Sequence, residues 1–493
     1  MSRELLLALD VGTTGARVLL VRSDGRVLAR AYRPLTARFP APECFEQDPG
    51  EMWTHSLELM REALASGGAR ARDIAAIGVV TQRAAAVAWD ADSGEPLAPV
   101  IGWQDRRAAP RVAELQRLGI PISTLPTATK FEWLLRNESA VATAAAQGRL
   151  RLGHPDAWLT DRLTGGAAHV TDPGQASCTG LYDLGGGEWS AVACQLFGVE
   201  PRALPELRPT SAVVGETPPG LLGAPVPVAA RAGDQQAASF AQGVHERGDA
   251  KLTLGTAAML DVHVGERAEG TGVPQGRLER AVYPLVLWRL DAGPEAFCLE
   301  GSVITAGAVV DWLVDLGLLP EAAALDAVAG RVATAEGVSF VPALQGLGTP
   351  FVEPEVRALL GGLTRGTGRA HIARAAIEGI AHRCVDVCEA LGLDARPLRV
   401  DGGLARSDLL MQTLANLGDR PLLRAAEAET TALGAAWLAG LAAGVFAGPA
   451  DCRGLAPPPV HFEPSCDAGR ADEARERWRA ALERARLGRD DGE

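Results

Sequence analysis

Apolar and polar positions along the chain fall into short alternating blocks. LALDVGTTGARVLL (7–20) is an apolar run that ends on Asp10, turns through Gly12, Thr13 and Thr14, and resumes after Arg17. Strands are predicted over 5–10, 17–22 and 26–32, with Asp24-Gly25 as a hairpin turn between the last two. EQDPGEMW then opens a helix, with Asp48 as N-cap, Pro49 in the first turn and Glu51 three residues after the cap. AIGVV (76–80) reads as another strand. This alternation of strands and helices is the signature of an α/β protein.

The opening pattern recurs midway. AKLTLGTAAMLDVHV (250–264) is again apolar strand, Gly-Thr turn, apolar strand. Two such copies predict two related domains, each offering a Gly-Thr hairpin to one central cleft. The reading divides the chain into 1–246, 247–447 and a C-terminal connector and surface helix, 448–493. The first boundary falls in the polar VHERGDA stretch. A third turn stands at LRVDGGLARSDLLMQTLANL: a strand (398–400) runs into Asp401-Gly402-Gly403 and a helix follows. Glycines there let a ligand approach the backbone, and a helix N-terminus favours anions; an ordinary strand-to-helix turn has the same pattern.

Residues 430–450 carry no charge and are long enough to span a bilayer. Their Ala/Gly content and Pro449 favour a buried core helix instead. In the tail, APPPVHFEP (456–464) is a proline-rich connector. DEARERWRAALERARLGR is an amphipathic helix expected to pack through Trp478, Ala481 and Leu482.

At 493 residues, 47% hydrophobic and 22% charged, the chain reads as a soluble globular protein of two large domains. A net charge of −13 with no basic run argues against nucleic acid as main partner. The strand-like LLLALD near the start leaves no room for a charged-then-apolar leader, so a cytoplasmic location with no membrane partner is expected. The eight cysteines are scattered and read as reduced, mostly buried thiols. Only Lys130 and Lys251 are lysines; every other basic residue is arginine. Against that background a surviving lysine points to a position where arginine fits badly, or to chance survival.

Several of these residues suit phosphoryl transfer, which needs groups to hold phosphate, a metal, and a base for the attacking hydroxyl. The turns at Gly12-Thr13-Thr14 and Gly255-Thr256 suit the first need, and Arg17 could join them or lie on the strand surface. Asp10 suits a magnesium ion, which prefers oxygen ligands. VAARAGDQQAASFAQG (228–243) places Asp234 and Gln235 between an apolar run and an Ala-rich helix, either as a helix cap or as a carboxylate at the cleft. Gln82 and Arg83 follow one strand, and WQDRR (103–107) follows soon after. Trp103 beside hydrogen-bonding groups suits a small polyol; a core Trp beside surface charges has the same pattern.

Together these segments resemble the FGGY carbohydrate kinases, and within that family its glycerol-kinase branch. The likeness runs from about residue 5 to 466. It is carried by the DxGTT loop at 10–14, EQDP (46–49), WQDRR (103–107), TKFEWLLRN (129–137), GDQQ (233–236) and LGT (254–256). LEGSVITAGAVVDWL (299–313), GLTRGTGRAHIARAAIEGIA (362–381), DGG (401–403) and ETTALGAA (429–436) complete it. The resemblance implies two ribonuclease-H-like domains of the actin/Hsp70 ATPase type flanking a cleft, with ATP and Mg²⁺ as cofactors. It implies that Asp234 is the catalytic base and, with Asp10, stands on the metal side. It implies phosphate contacts from Gly12, Thr13, Thr14, Arg17, Gly255 and Thr256, and outer nucleotide contacts from Gly307, Asp311, Gly403 and Ser407. Family members often have Gln and Asn where this chain has Asp311 and Ser407. The substrate positions are Arg83, Ala84, Trp103, Asp234, Gln235 and Met259. Glycerol kinases usually have Arg-Glu at 83–84, a tyrosine near Leu125 and a phenylalanine near Met259, so the acceptor side is less polar here. The implied reaction puts phosphate on a primary hydroxyl of a small polyol or sugar, glycerol first. Another polyol or a ketose of xylulose, ribulose or erythritol type is the alternative, as is a weakly active nucleotide-binding sensor on the same fold. A homo-oligomer, dimer or tetramer, is left open.

Overall fold

The computed structural model describes residues 4–267, 274–291, 293–427, 429–465 and 468–488. The first half is built on β1 (Leu5–Val11), β2 (Gly15–Arg22), β3 (Val27–Pro34), helix α1 (Pro49–Ser66), β4 (Ile74–Thr81), the edge strand β5 (Ser211–Glu216), β6 (Pro227–Gly233) and helix α2 (Asp234–Ala241). The second half carries β7 (Ala250–Leu254), β8 (Ala258–Glu266), β9 (Tyr283–Arg289), β10 (Glu295–Val303), α3 (Gly307–Asp315), α4 (Arg369–Leu391), β11 (Leu398–Asp401), α5 (Asp408–Gly418), β12 (Leu422–Arg424), α6 (Thr430–Ala442), β13 (Val460–Phe462) and α7 (Ala468–Leu487).

The two halves repeat one topology. The first sheet has the order β5-β6-β4-β1-β2-β3 and the second β9-β10-β8-β7-β11-β12-β13. In the first, β1 is antiparallel to β2 and parallel to β4, and β4 is parallel to β6. In the second, β7 is antiparallel to β8 and parallel to β11, and β11 is parallel to β12. The Gly-Thr hairpins are therefore equivalent positions of two related sheets, as the repeated LDVGTT and LTLGTA segments predict. β1 is buried on both faces, so it reads as a continuous apolar run. Leu7, Leu9 and Val11 enter the core under α1, and Leu6 and Ala8 enter the core shared with α2 and α6.

Helix α6 explains its own uncharged composition. It lies in the stretch numbered with the second domain, yet Leu433, Ala436 and Trp437 pack with Leu6, Val80 and Ala237 of the first half. Gly434 lets α6 meet α2 backbone to backbone: a Cβ there would lie 2.0 Å from the Ala237 carbonyl oxygen. No helix among the described residues is long and apolar enough to cross a membrane.

Asp48 caps α1 as expected, accepting the Gly50 amide at 2.8 Å. Glu51 does not close a reciprocal capping box. Its carboxylate instead takes the amide and hydroxyl of Thr36, at 3.0 and 2.9 Å. In the tail, β13 extends the second sheet through β12, and α7 buries Trp478, Ala481 and Leu482 against Val341, Leu347 and Val356. Asp386 of α4 receives Arg475 at 2.8 Å, Arg383 at 2.7 Å and the Trp478 indole N–H at 3.1 Å. Seven cysteines are described, all as free thiols; Cys466 lies outside the described residues.

Candidate active site

The first hairpin turn is braced from below. Thr13 accepts the Trp103 indole N–H at 2.9 Å and donates its hydroxyl to Gln82 at 3.0 Å. Its carbonyl accepts the Gln47 amide at 2.8 Å, and Gln82 donates to Gln47 at 2.7 Å. The Thr13 hydroxyl is thus engaged in holding the turn, while Thr14 is exposed and Gly12 half-buried. Trp103 keeps part of its ring open to solvent. Asp105 does not join it: it is buried and tied to Arg107 and to the Phe45 amide.

The second turn is braced by a helix N-terminus. The Gly307 amide donates to Gly255 O at 2.9 Å, and the Ala306 and Ala308 amides donate to Thr256 O at 3.0 and 3.2 Å. These are the amides that the first turn of a helix leaves without internal partners. Gly307 is needed for this approach, because a Cβ there would lie 2.6 Å from Gly255 O. Asp311 sits exposed one turn further along α3. Gly403 opens a short 3₁₀ turn, and nothing lies within 4 Å of where its Cβ would be. Ser407 is committed elsewhere. It is the N-cap of α5, accepting the Leu410 amide at 3.0 Å, and its hydroxyl also pairs with Asp326. The cap pattern Ser407-Asp408 before an apolar run is itself a sequence signal for that role.

Two groups of charged residues stand at the ends of the central strands. At the end of β1, Asp10 faces Arg17 across the hairpin, with Arg17 Nη1 at 3.2 Å from Asp10 Oδ2. Arg17 Nε lies 2.7 Å from Glu429, immediately before α6. Burial pushes the Asp10 carboxyl up to about 7. Arg17 opposes that rise, and the charges of Asp234 and Glu429 add to it.

At the end of β6 stands Asp234. The N-cap of α2 is Gly233, so Asp234 is the first helical residue rather than a cap. Its Oδ1 accepts the Gln235 amide at 2.8 Å and lies 3.4 Å from Arg83 Nε. The Asp234 side chain is about one-third exposed, and burial raises its pKa against the pull of Arg83. Arg83 Nη1 reaches Glu300 of β10 at 2.7 Å. Gln235 accepts the Lys251 ammonium at 2.6 Å. Ala84 is buried in the left-handed region, with φ of 57°. Met259 lies half-buried on β8, opposite Thr253.

Comparison with known proteins agrees with this arrangement. The model of the FGGY family of carbohydrate kinases, N-terminal domain, matches residues 5–241, and that of the C-terminal domain matches residues 253–443. The chain belongs to the FGGY carbohydrate kinases. It is similar to the glycerol kinase of Deinococcus radiodurans, at 39% identity over 99% of both chains. It is likewise similar to the glycerol kinase of Thermus brockianus, at 40% identity over 98% of both. Among solved structures it resembles Plasmodium falciparum glycerol kinase with ADP, with a TM-score of 0.89 and 26% identity over 98% of both chains. It also resembles xylulose kinase from Rhodospirillum rubrum, with a TM-score of 0.82 and 27% identity over 98% of both chains. The chain is an ATP-dependent phosphotransferase of glycerol-kinase type, acting on a polyol or sugar with Mg²⁺.

As FGGY kinases require, the residues present fit both cofactors. At the cleft the charges of Asp234 and Glu429 both act on Asp10; Arg17 pairs with Asp10 and Glu429, and Arg83 lies beside Asp234. No three such side chains stand close enough among the described residues to enclose a metal, so Asp10 and Asp234 suit a divalent cation that keeps most of its water shell. The open space at Gly403, and at Gly12 where a Cβ would meet nothing nearer than 3.8 Å, leaves the backbone accessible to a nucleotide. Sequence reasoning gave no role to Glu300 or Glu429, although both lie in segments that carry the family likeness.

Proposed function

We propose that glycerol is the acceptor and that Asp234 takes the proton of its primary hydroxyl as phosphate is transferred. The observation that carries this reading is the state of the Asp234 carboxylate. It caps no helix, stays partly open at the end of β6, and has its pKa raised by burial. A base must lie within hydrogen-bond reach of the hydroxyl it deprotonates, and the junction of the two sheets supplies such a place. Arg83, 3.4 Å from Asp234, and the adjacent Gln235 stand there as donors, and in this reading Trp103 serves as the apolar wall.

Mg²⁺-ATP, when bound, supplies the phosphoryl group and neutralises its charge. In this reading the two turns hold phosphate oxygens through the amides of Thr13, Thr14 and Thr256, while those of Gly12 and Gly255 close the turns onto Gly15 and Ala257. Asp10 stands on the metal side, and Arg17 leaves Asp10 and Glu429 to meet the phosphates. Gly307, Gly403 and Asp311 line the outer nucleotide region. Ser407 supports that region by fixing the start of α5 rather than by direct contact. Ala84 and Met259 shape the acceptor pocket.

A second reading, a larger polyol or ketose as acceptor, is favoured by one observation. Ala84 offers no side-chain oxygen beside Arg83, where glycerol kinases usually carry glutamate. Release of ADP by the purified enzyme over a panel from glycerol to seven-carbon polyols and ketoses decides between them. The first reading expects the highest kcat/KM on glycerol. A higher value on a five-carbon ketose or polyol would assign the pocket to that acceptor.

A further inference from the structure

The second sheet carries a row of charges that no role above absorbs. Lys251, Asp261 and Glu300 sit side by side on β7, β8 and β10, as cross-strand partners Lys251↔Asp261 and Asp261↔Glu300. All three are buried, with at most 4% of each residue exposed. Buried charges are retained only with partners, and here two of the partners, Arg83 and Gln235, come from the other half of the molecule. Glu300 holds Arg83 at 2.7 Å, and Lys251 holds Gln235 at 2.6 Å while lying 3.4 Å from Asp261. The residues gripped in this way are the two first-sheet side chains assigned above to acceptor binding.

We propose that Glu300 is a positioning residue of the acceptor pocket, holding the Arg83 guanidinium toward the acceptor and supplying from the second sheet the carboxylate partner that position 84 lacks. This rests on the acceptor-pocket reading above. The geometry gives Arg83 two carboxylates to choose between. Nη1 is at 2.7 Å from Glu300, and Nε is at the looser 3.4 Å from Asp234. Coulomb attraction favours the ion pair at the shorter distance. Glu300 therefore keeps Arg83 from closing onto Asp234 and tying up the carboxylate that must meet the acceptor hydroxyl. The Arg83 side chain retains 12% exposure and that of Glu300 5%, so the arginine faces the cleft and the glutamate stands behind it. An arginine fixed from behind presents its remaining N–H groups in one orientation, which preorganises the pocket for hydroxyl oxygens.

Glu300→Gln tests this. The amide keeps the size of the side chain and can donate to Asp261, so the row of partners is preserved while the negative charge facing Arg83 is lost. The expected result is an acceptor KM raised about tenfold or more, with the KM for ATP within twofold and a circular-dichroism spectrum like that of the wild type. Glu300→Asp, which keeps the charge but withdraws it, should raise the acceptor KM less than Glu300→Gln does. An acceptor KM within twofold of wild type in both variants overturns the proposal. So does an equal rise in the KM for ATP, which would make Glu300 a general tie between the halves. Should Glu300→Gln fail to fold, Glu300→Asp decides by the same split between the two KM values. Wild-type enzyme is assayed in parallel. Failure of the wild type on every acceptor would overturn the acceptor reading itself, whereas an active wild type with unaffected Glu300 variants overturns only this inference.

Discussion

Substituting alanine at Gly307 probes the contact between α3 and the second hairpin turn. The added Cβ would lie 2.6 Å from Gly255 O, 3.2 Å from Gly255 C and 3.4 Å from Thr256 Cα, all of them backbone atoms. Ordinary contact needs about 3.5 Å, so the turn or the helix must retreat by roughly 1 Å. That retreat stretches the 2.9 Å bond from the Gly307 amide to Gly255 O, at a cost of about 1 kcal/mol. Gly307 is the first residue of α3, where the advantage of alanine over glycine in a helix interior is not gained, so the loss of stability stays near that ~1 kcal/mol. Catalysis is far more sensitive, because a displacement of about 1 Å in a group that positions reactants can cost about 10²-fold. Gly307→Ala should therefore lower kcat/KM for ATP about 100-fold while the thermal midpoint moves by only a few degrees. Gly368→Ala, where nothing lies within 4 Å of the new methyl, is the matched control and should stay within twofold of wild type. Steady-state ADP release and a thermal melt on both variants decide it. Gly307→Ala activity within threefold of wild type would refute the claim that this approach holds the phosphate turn in place.

Ala84→Glu puts a carboxylate beside Arg83 at a buried position that already has φ of 57°. A new charge-assisted hydrogen bond to the acceptor contributes about 1.5–3 kcal/mol, so the ratio of kcat/KM for glycerol over a five-carbon polyol should rise about tenfold. An unmoved ratio removes residue 84 from acceptor choice. Among the described residues, buried Lys130 has only the Thr124 and Leu125 carbonyls as hydrogen-bond partners, and burial pushes its pKa down to about 7. The folded state therefore binds this proton less well than the unfolded chain, and stability rises with pH from about 7 toward the unfolded lysine value near 10.4, by on the order of 1 kcal/mol per pH unit. Urea titrations between pH 7 and 9 should show that slope in the wild type and lose it in Lys130→Met; equal slopes would mean that Lys130 stays charged. Asp386→Asn leaves Arg383 and Arg475 buried without their shared charge partner, and should lower unfolding stability by about 3 kcal/mol. Its kcat should remain near wild type; a large fall in kcat without loss of stability would tie the tail helix to catalysis.

The parts of this fold that could be read from sequence are those set by local pattern. β1 and β7 each end in a Gly-Thr turn, and the repeat of that pattern locates both hairpins before any contact is known. The buried helix at 430–442 follows from its uncharged Ala/Gly content, whereas its packing against the first sheet, where Gly434 meets α2, does not. The scarcity of lysine marked Lys130 and Lys251 either as positions unsuited to arginine or as chance survivals. Lys251 sits fully buried among Gln235, Thr253 and Asp261, where a compact ammonium serves three partners that a planar guanidinium would not reach together. What sequence did not disclose are pairings made across the two sheets. Glu300 and Arg83 are far apart in the chain, and only the packing of β10 against the β4 loop brings them together. Glu51 shows the same limit on a smaller scale: its spacing from Asp48 suits a capping box, but Thr36 offers two donors and wins. Ser407 carries the pattern of a helix cap as well as the family likeness, and the structure uses the cap.

The most direct measurement of the account is the turnover of Asp234→Asn with saturating Mg²⁺-ATP and glycerol. The amide oxygen can still accept the Gln235 amide, and Arg83 remains held by Glu300, so the fold and nucleotide binding should persist. Loss of the base typically lowers the rate by about 10²–10⁴-fold. The account predicts a kcat reduced within that range with ATP affinity, measured by calorimetry, within threefold of wild type. A kcat within threefold of wild type would contradict it.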